Sequence, residues 1–268
     1  MDIAQLRKKP HLSVSSINTY MDCGLLYKFS RVDKVKPEFV SDNLVFGSCL
    51  HRVLAEYNQE KMMGNILSSD DLTQLFKKDW EKSINETQNI QYSKSKNHLI
   101  LLDQGIKMLT EFKKSVPENN TTVIAIEEPF EFYINGLDIP LIGIMDLVEE
   151  DEDRTVIITD YKTSKRGISL DEVDSSFQLT IYYTAAKKNG YANRDIHLKF
   201  DCLIKTQKPR FEQIFTRRSH HQAMRALKKV KCVWDGIQKG IFIPNEGSWR
   251  CHGCAYKSYC NDWLGGDE

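Results

Sequence analysis

No stretch of this sequence stays apolar long enough to cross a bilayer. The N-terminus also lacks the apolar core of a secretory signal. Both absences point away from membrane and secreted classes and lead us to expect a cytoplasmic protein. An excess of one charge is missing too. Lys+Arg and Asp+Glu each count 37, so the net charge is zero. Overall charge therefore gives no indication of a nucleic-acid partner, and any such binding must rest on local patches. In a reducing compartment the seven cysteines are not expected to form a disulfide framework.

What is present is ordinary in bulk. The chain has 268 residues, 41% hydrophobic and 28% charged, enough for one large domain or two small ones. The informative stretch is GIMDLVEEDEDRTVIITDYK, from Gly143 to Lys162. Two apolar runs, 141–148 and 155–158, flank an acidic turn at 149–154 and read as a strand hairpin. Asp146 lies inside the first run, and Asp160 and Lys162 close the second. Residues two apart on a strand share a face, so Asp160 and Lys162 point the same way. A surface salt bridge is the plain reading. The sharper one is a divalent metal on Asp146 and Asp160, with Lys162 beside the attacking water.

The remaining chain supplies helices and strands around this hairpin. Residues 1–12 read as a polar arm. Ser15 or Ser16 can cap a helix to about Ser30 that contains Cys23. A helix over 44–63 buries Phe46, Leu50, Val53 and Tyr57, with Gly47 and His51 on a neighbouring stripe. His51 is balanced between a structural role and a ligand role, and Gly47 there hints at a close approach. Helices over 69–86 and 94–115 complete a helical subdomain expected to cover one side of a sheet. Strands are expected at 123–126 and 130–134, with a turn at Asn135-Gly136. Glu127 and Glu128 read as a solvated edge pair rather than as part of a metal site.

Beyond Lys162 a polar loop leads to a helix over 170–188. Gln178 and Tyr182 lie four apart on it, either as a polar pair or aimed at the metal pocket. Strands follow at 196–204 and 211–215, then a helix from Ser219 to about Gln238. Residues 199–239 carry eleven Lys/Arg against three Asp/Glu, a basic stretch able to track phosphates. The C-terminus reads Cys251-His-Gly-Cys254, then Cys260. Three close cysteines imply a metal, and His252 between two of them is poorly placed as the fourth ligand. Cys23 fits that role, and four thiolates suit zinc or an iron–sulfur cluster. Cys49, Cys202 and Cys232 read as core thiols.

In this order the residues resemble the PD-(D/E)XK nuclease superfamily, in the RecB-like branch that carries a four-cysteine iron–sulfur cluster. The likeness is to CRISPR-associated exonucleases and the AddB nuclease domain. It runs from SVSSINTYMDC through GSCLH, GIMD, TDYK and Q-x-x-x-Y to C-x2-C-x5-C. Met145 departs from the Pro of the motif's name, and Gly24 follows Cys23 where Pro is frequent. The resemblance implies an α/β fold: a central mixed sheet flanked by helices, with an N-terminal helical region and a C-terminal cluster-binding segment. It implies one domain over 1–268, comprising a helical subdomain at 44–118, a catalytic core at 121–218 and an iron–sulfur segment at 245–268 closing onto Cys23. It also implies Mg2+ or Mn2+ on His51, Asp146, Asp160 and the Tyr161 carbonyl. Lys162, Gln178 and Tyr182 complete the catalytic set, and a [4Fe-4S] cluster sits on Cys23, Cys251, Cys254 and Cys260. The implied activity is a DNA exonuclease acting on single strands or duplex ends, in CRISPR adaptation or DNA repair. A structure-selective endonuclease and a catalytically silent DNA-binding subunit are the alternatives. The partner would be DNA, together with a CRISPR integrase complex or a helicase; no helicase motif or integrase domain is visible in the sequence.

Overall fold

The computed structural model describes residues 3–117 and 121–265. The chain starts with a short helix α1 (Ile3–Leu6), strand β1 (Leu12–Ser13), helix α2 (Val14–Asp22) and a single turn α3 (Gly24–Tyr27) that runs into a π-helical turn, Lys28–Val32. Strand β2 (Val40–Ser41) leads into α4 (Asp42–Met62) and α5 (Ser69–Glu86), then β3 (Ile90–Gln91) and α6 (His98–Ser115). The sheet strands β4 (Thr122–Phe132), β5 (Leu141–Glu150) and β6 (Val156–Ser164) follow. Helices α7 (Leu170–Asp174) and α8 (Phe177–Lys188) precede β7 (Ile196–Ile204) and β8 (Arg210–Thr216). Helix α9 (His220–Gln238), a 3-10 turn at Trp249–Gly253 and α10 (Lys257–Gly265) end the described chain. It is an α/β fold with a mixed central sheet flanked by helices.

The main sheet runs β1-β5-β6-β7-β8, with β4 also paired to β5. β4 pairs antiparallel along β5 from Leu141 to Glu150 and so fills one of its edges. β1 and β6 must therefore share the other edge. β1 covers Leu141 and Ile142 in parallel register, and β6 covers Leu147 to Glu150 in antiparallel register. Between them β5 is unpaired on that edge, and β6 forks away to run parallel with β7.

Two cores form on the two faces. One joins Met145, Val148 and Ile158 to Ile17, Leu179, Ile181, Ala185 and Val230 of α2, α8 and α9. The other joins Leu147, Tyr161 and Leu203 to Phe46, Phe76 and Trp80 of α4 and α5. Each Val, Leu, Ile, Phe or Met among them contributes about 1.5–3 kcal/mol when fully buried.

Several local expectations are corrected. α2 is capped by Ser13, through a capping box with Ser16, and stops at Asp22 rather than running to Ser30. Residues 1–12 are not wholly a polar arm, because Leu12 is fully buried. The two strands expected within 121–134 are one, β4. Pro129 sits inside it, which an edge strand tolerates because no donor is needed on the open side. Glu127 takes φ +47 there and is exposed, while Glu128 accepts a bond from Tyr191 Oη at 3.2 Å. β6 continues through Thr163 and Ser164, where a loop was expected. The helix expected over 170–188 is split, because Ser176 caps a new start at Phe177. Cys49 and Cys202 are buried, but Cys232 is exposed and not a core thiol. A Cβ on Gly47 would meet only Thr163 Oγ1 at 3.6 Å, an ordinary contact, so the space there does not demand glycine.

Candidate active site

The fork between β5 and β6 is where the polar residues collect. Asp146 lies one residue before β6 starts to pair, and its Oδ2 accepts the Tyr161 backbone N–H at 2.9 Å. His51 of α4 reaches the same oxygen, with Nδ1 at 3.3 Å. Burial pulls the imidazole's pKa down, but the Asp146 hydrogen bond and charge outweigh it, and the net direction is up. The His51 ring stands edge-on to Tyr161.

On β6, Asp160 and Lys162 share a face as their spacing requires. Lys162 Nζ lies 2.5 Å from Asp160 Oδ2 and packs over the Phe200 ring. Asp160 is 1% exposed. Burial pushes its carboxyl up, Lys162 opposes this, and the net direction is up. From α8, Gln178 accepts from Lys162 Nζ at 2.7 Å and donates Nε2 to Asp160 Oδ1 at 2.5 Å and to Tyr182 Oη at 2.9 Å. Tyr182 Oη donates to Asp160 Oδ1 at 3.2 Å. Gln178 and Tyr182 are four apart, one above the other on the helix, which is why both reach one carboxylate.

Among the described residues, no group of three or more His, Cys, Asp or Glu is arranged to hold a metal ion. His51 is turned onto Asp146, and Lys162 onto Asp160. The donor chemistry still fits a divalent cation. Two carboxylates and an imidazole, donors such ions take, converge on the fork, and the buried Asp160 Oδ2 already draws one cation, the Lys162 ammonium, to 2.5 Å. A buried carboxylate oxygen is costly unless a cation or a hydrogen-bond donor sits against it.

Behind the fork lies a buried polar group that sequence reasoning missed. Tyr161 Oη accepts from Asn58 Nδ2 of α4 at 2.8 Å. Lys61 Nζ pairs with Glu149 at 3.0 Å, Lys199 Nζ donates to Asp201 at 3.2 Å, and Gln213 donates to the same Asp201. These contacts tie α4 to the strands and hold the Tyr161 peptide from behind. The available sign was the charged Lys199 and Asp201 alternating with Leu198, Phe200 and Cys202 in β7.

The four cysteines Cys23, Cys251, Cys254 and Cys260 line one cavity of ≈ 260 Å³. None is in a disulfide. The chain breaks at Cys23, whose extended backbone ends α2 and caps α3. Gly24 N–H donates to Ile243 O at 3.0 Å, Asn245 donates to Asp22 O at 2.9 Å, and Arg250 Nε pairs with Asp22 at 2.6 Å. Further along, Glu38 N–H donates to Ala255 O at 2.9 Å and Phe29 stacks on Tyr256. The C-terminal segment thus closes over residues 22–38. Gly24 matters here as Pro could not: Pro lacks the N–H, and a Cβ would meet Ile243 N at 2.8 Å.

No helix among the described residues is long and apolar enough to cross a membrane. Comparison with known proteins agrees with this architecture. The chain is 23% identical over 206 residues to a subunit of the ATP-dependent helicase/deoxyribonuclease of Clostridioides difficile (strain 630), covering 67% of this chain and 18% of that protein. It is 27% identical over 201 residues to the protein of the same name from Carboxydothermus hydrogenoformans, covering 66% of this chain and 18% of the relative. The chain thus spans under a fifth of the length of these relatives. A crystal structure of a provisionally assigned exonuclease from Eubacterium rectale shares the fold, with TM-score 0.56 and 13% identity over 90% of this chain and 87% of that one. A profile of the PD-(D/E)XK nuclease superfamily matches residues 11–261, nearly the whole chain, and the chain belongs to that superfamily.

Proposed function

We propose that the protein is a DNA exonuclease that hydrolyses phosphodiester bonds of single-stranded DNA with Mg2+ or Mn2+. The observation that carries the reading is the Gln178 amide, which joins the Lys162 ammonium to the buried Asp160 carboxylate beside Asp146. An apolar sheet has no structural use for that cluster at its fork. His51, Asp146, Asp160 and the Tyr161 carbonyl would hold the metal, which offsets phosphate charge and lowers the pKa of a bound water. The rest is done by the protein's own groups. Lys162, fixed by two partners, orients the attacking water and offsets charge developing on the phosphate oxygens. Gln178 and Tyr182 fix the carboxylate's orientation and Lys162's rotamer, so neither must reorganise during the reaction.

We assign Cys23, Cys251, Cys254 and Cys260 to a structural [4Fe-4S] cluster. Their shared cavity supports this, as does the closure of a segment about 230 residues distant onto Cys23. On a cross-link model such a staple contributes up to roughly 5 kcal/mol by restricting the unfolded chain. The names of the two bacterial relatives favour a helicase-linked repair or recombination setting over CRISPR adaptation. The helicase motor would lie outside these 268 residues.

The test is digestion of end-labelled linear and circular single-stranded DNA with Mg2+ or Mn2+. The reading requires linear strands to disappear and circles to survive. Rapid nicking of circles would replace it with the endonuclease.

A further inference from the structure

The unpaired stretch of β5 opens into a groove of ≈ 550 Å³ beside the candidate site. Gln178 and Tyr182 line one part of it, next to Gly143 of β5. Arg7, His11, Ser13, Ser15 and Arg31, from the N-terminal arm, the start of α2 and the π-helical turn, line it as well. Although the chain holds as many acids as bases, no Asp or Glu among the described residues lines this groove. The two arginines also differ from most others. Arg52, Arg154, Arg166, Arg194, Arg210 and Arg250 each pair with a carboxylate, while Arg7 and Arg31 are exposed and form no ion pair among the described residues.

The lining is also poor in base-reading groups. Tyr182 is the one Phe, Tyr or Trp among its described residues, and its hydroxyl is bonded to Asp160 and Gln178. Large aromatic platforms hold bases, whereas most guanidinium and hydroxyl contacts to nucleic acid go to phosphate and sugar. From the basic lining and its continuity with the fork, we propose that this groove holds the sugar–phosphate backbone of the DNA strand next to the scissile phosphate. Arg7 and Arg31 pair with phosphates, and no base is read. The proposal rests on the nuclease reading and names where its substrate lies.

The measurement is salt-dependent binding of single-stranded oligonucleotides of two different compositions, with steady-state cleavage alongside. Wild-type protein is compared with Arg7→Ala/Arg31→Ala, with Arg7→Lys/Arg31→Lys, and with a Lys78→Ala/Lys82→Ala control on α5. Losing two phosphate contacts should flatten the log–log salt slope by roughly 1.4, at about 0.7 per phosphate on single strands. Affinity should fall about tenfold or more for both oligonucleotides, with KM raised and kcat at saturation near wild type. The lysine double variant keeps the charge and should restore the slope; the α5 control should leave it unchanged. A cutting wild-type enzyme whose slope and KM are unchanged in the alanine variant overturns the groove alone. A wild-type protein that neither binds nor cuts DNA overturns the nuclease reading with it.

Discussion

Gln178 Oε1 accepts a hydrogen bond from Lys162 Nζ at 2.7 Å, which makes a neutral amide the clamp on the lysine at the strand fork. The same amide donates to Asp160, so a single side chain fixes both members of an ion pair. Gln178→Ala removes two hydrogen bonds to charged groups, each worth about 1.5–3 kcal/mol. If half of that is felt in the transition state, cleavage falls on the order of 10- to 100-fold. The melting temperature should fall by a few degrees, because one of the lost bonds serves the buried Asp160. Single-turnover cleavage beside a thermal melt checks this; unchanged cleavage would leave Gln178 without a positioning role.

Gly24 governs how the C-terminal segment docks. A Cβ there meets Ile243 N at 2.8 Å and Phe242 Cα at 3.1 Å, both backbone atoms that cannot swing aside. Gly24→Ala should cost about 1–3 kcal/mol by overpacking, or a few degrees of melting temperature. Proteolysis should accelerate within 241–265, and Gly24→Pro, which also loses the bond to Ile243 O, should be worse. Limited proteolysis with mapped cut sites separates this from a general loss of stability.

Thiol reactivity should sort the cysteines into three groups. Cys232 is exposed and should be modified within minutes by an alkylating reagent. Burial pushes the Cys49 thiol up to about 11 and the Cys202 thiol up to about 12, so both should resist in the native protein. Cys23, Cys251, Cys254 and Cys260 should be protected in anaerobically purified, brown protein and become reactive once iron is removed. Mass spectrometry of alkylated peptides, before and after chelation, reads all seven. Colourless protein holding one zinc would replace the iron–sulfur assignment.

Much of this was readable from residue order, for identifiable reasons. The 141–164 hairpin was legible because Ile and Val dominate both strands and Asp146, Asp160 and Lys162 stand out against them. The pairing of Asp160 with Lys162, and of Gln178 with Tyr182, followed from strand and helix periodicity. Less legible was the break at Cys23, since it depends on backbone contacts with Ile243, far along the chain. β4 read as two strands because Glu127, Glu128 and Pro129 look like a turn; only its place at a sheet edge explains their tolerance. Arg7 was lost in a polar arm whose role depends on where β1 docks, and Arg31 lay just past the end of the expected helix. Asn58 and Lys61 showed nothing local to mark their contacts with Tyr161 and Glu149.

The most direct test of the account is metal-dependent cleavage by Asp160→Asn. The substitution keeps the shape of a side chain that is 1% exposed and removes the charge that Lys162, Gln178 and the metal all require. Wild-type protein should degrade linear single-stranded DNA with Mg2+ or Mn2+ and stop on chelation. A folded Asp160→Asn protein, verified by circular dichroism, should lose cleavage by at least about 1,000-fold, or roughly 4 kcal/mol of transition-state stabilisation. Cleavage by that folded variant at the wild-type rate would contradict the assignment of the fork as the catalytic site.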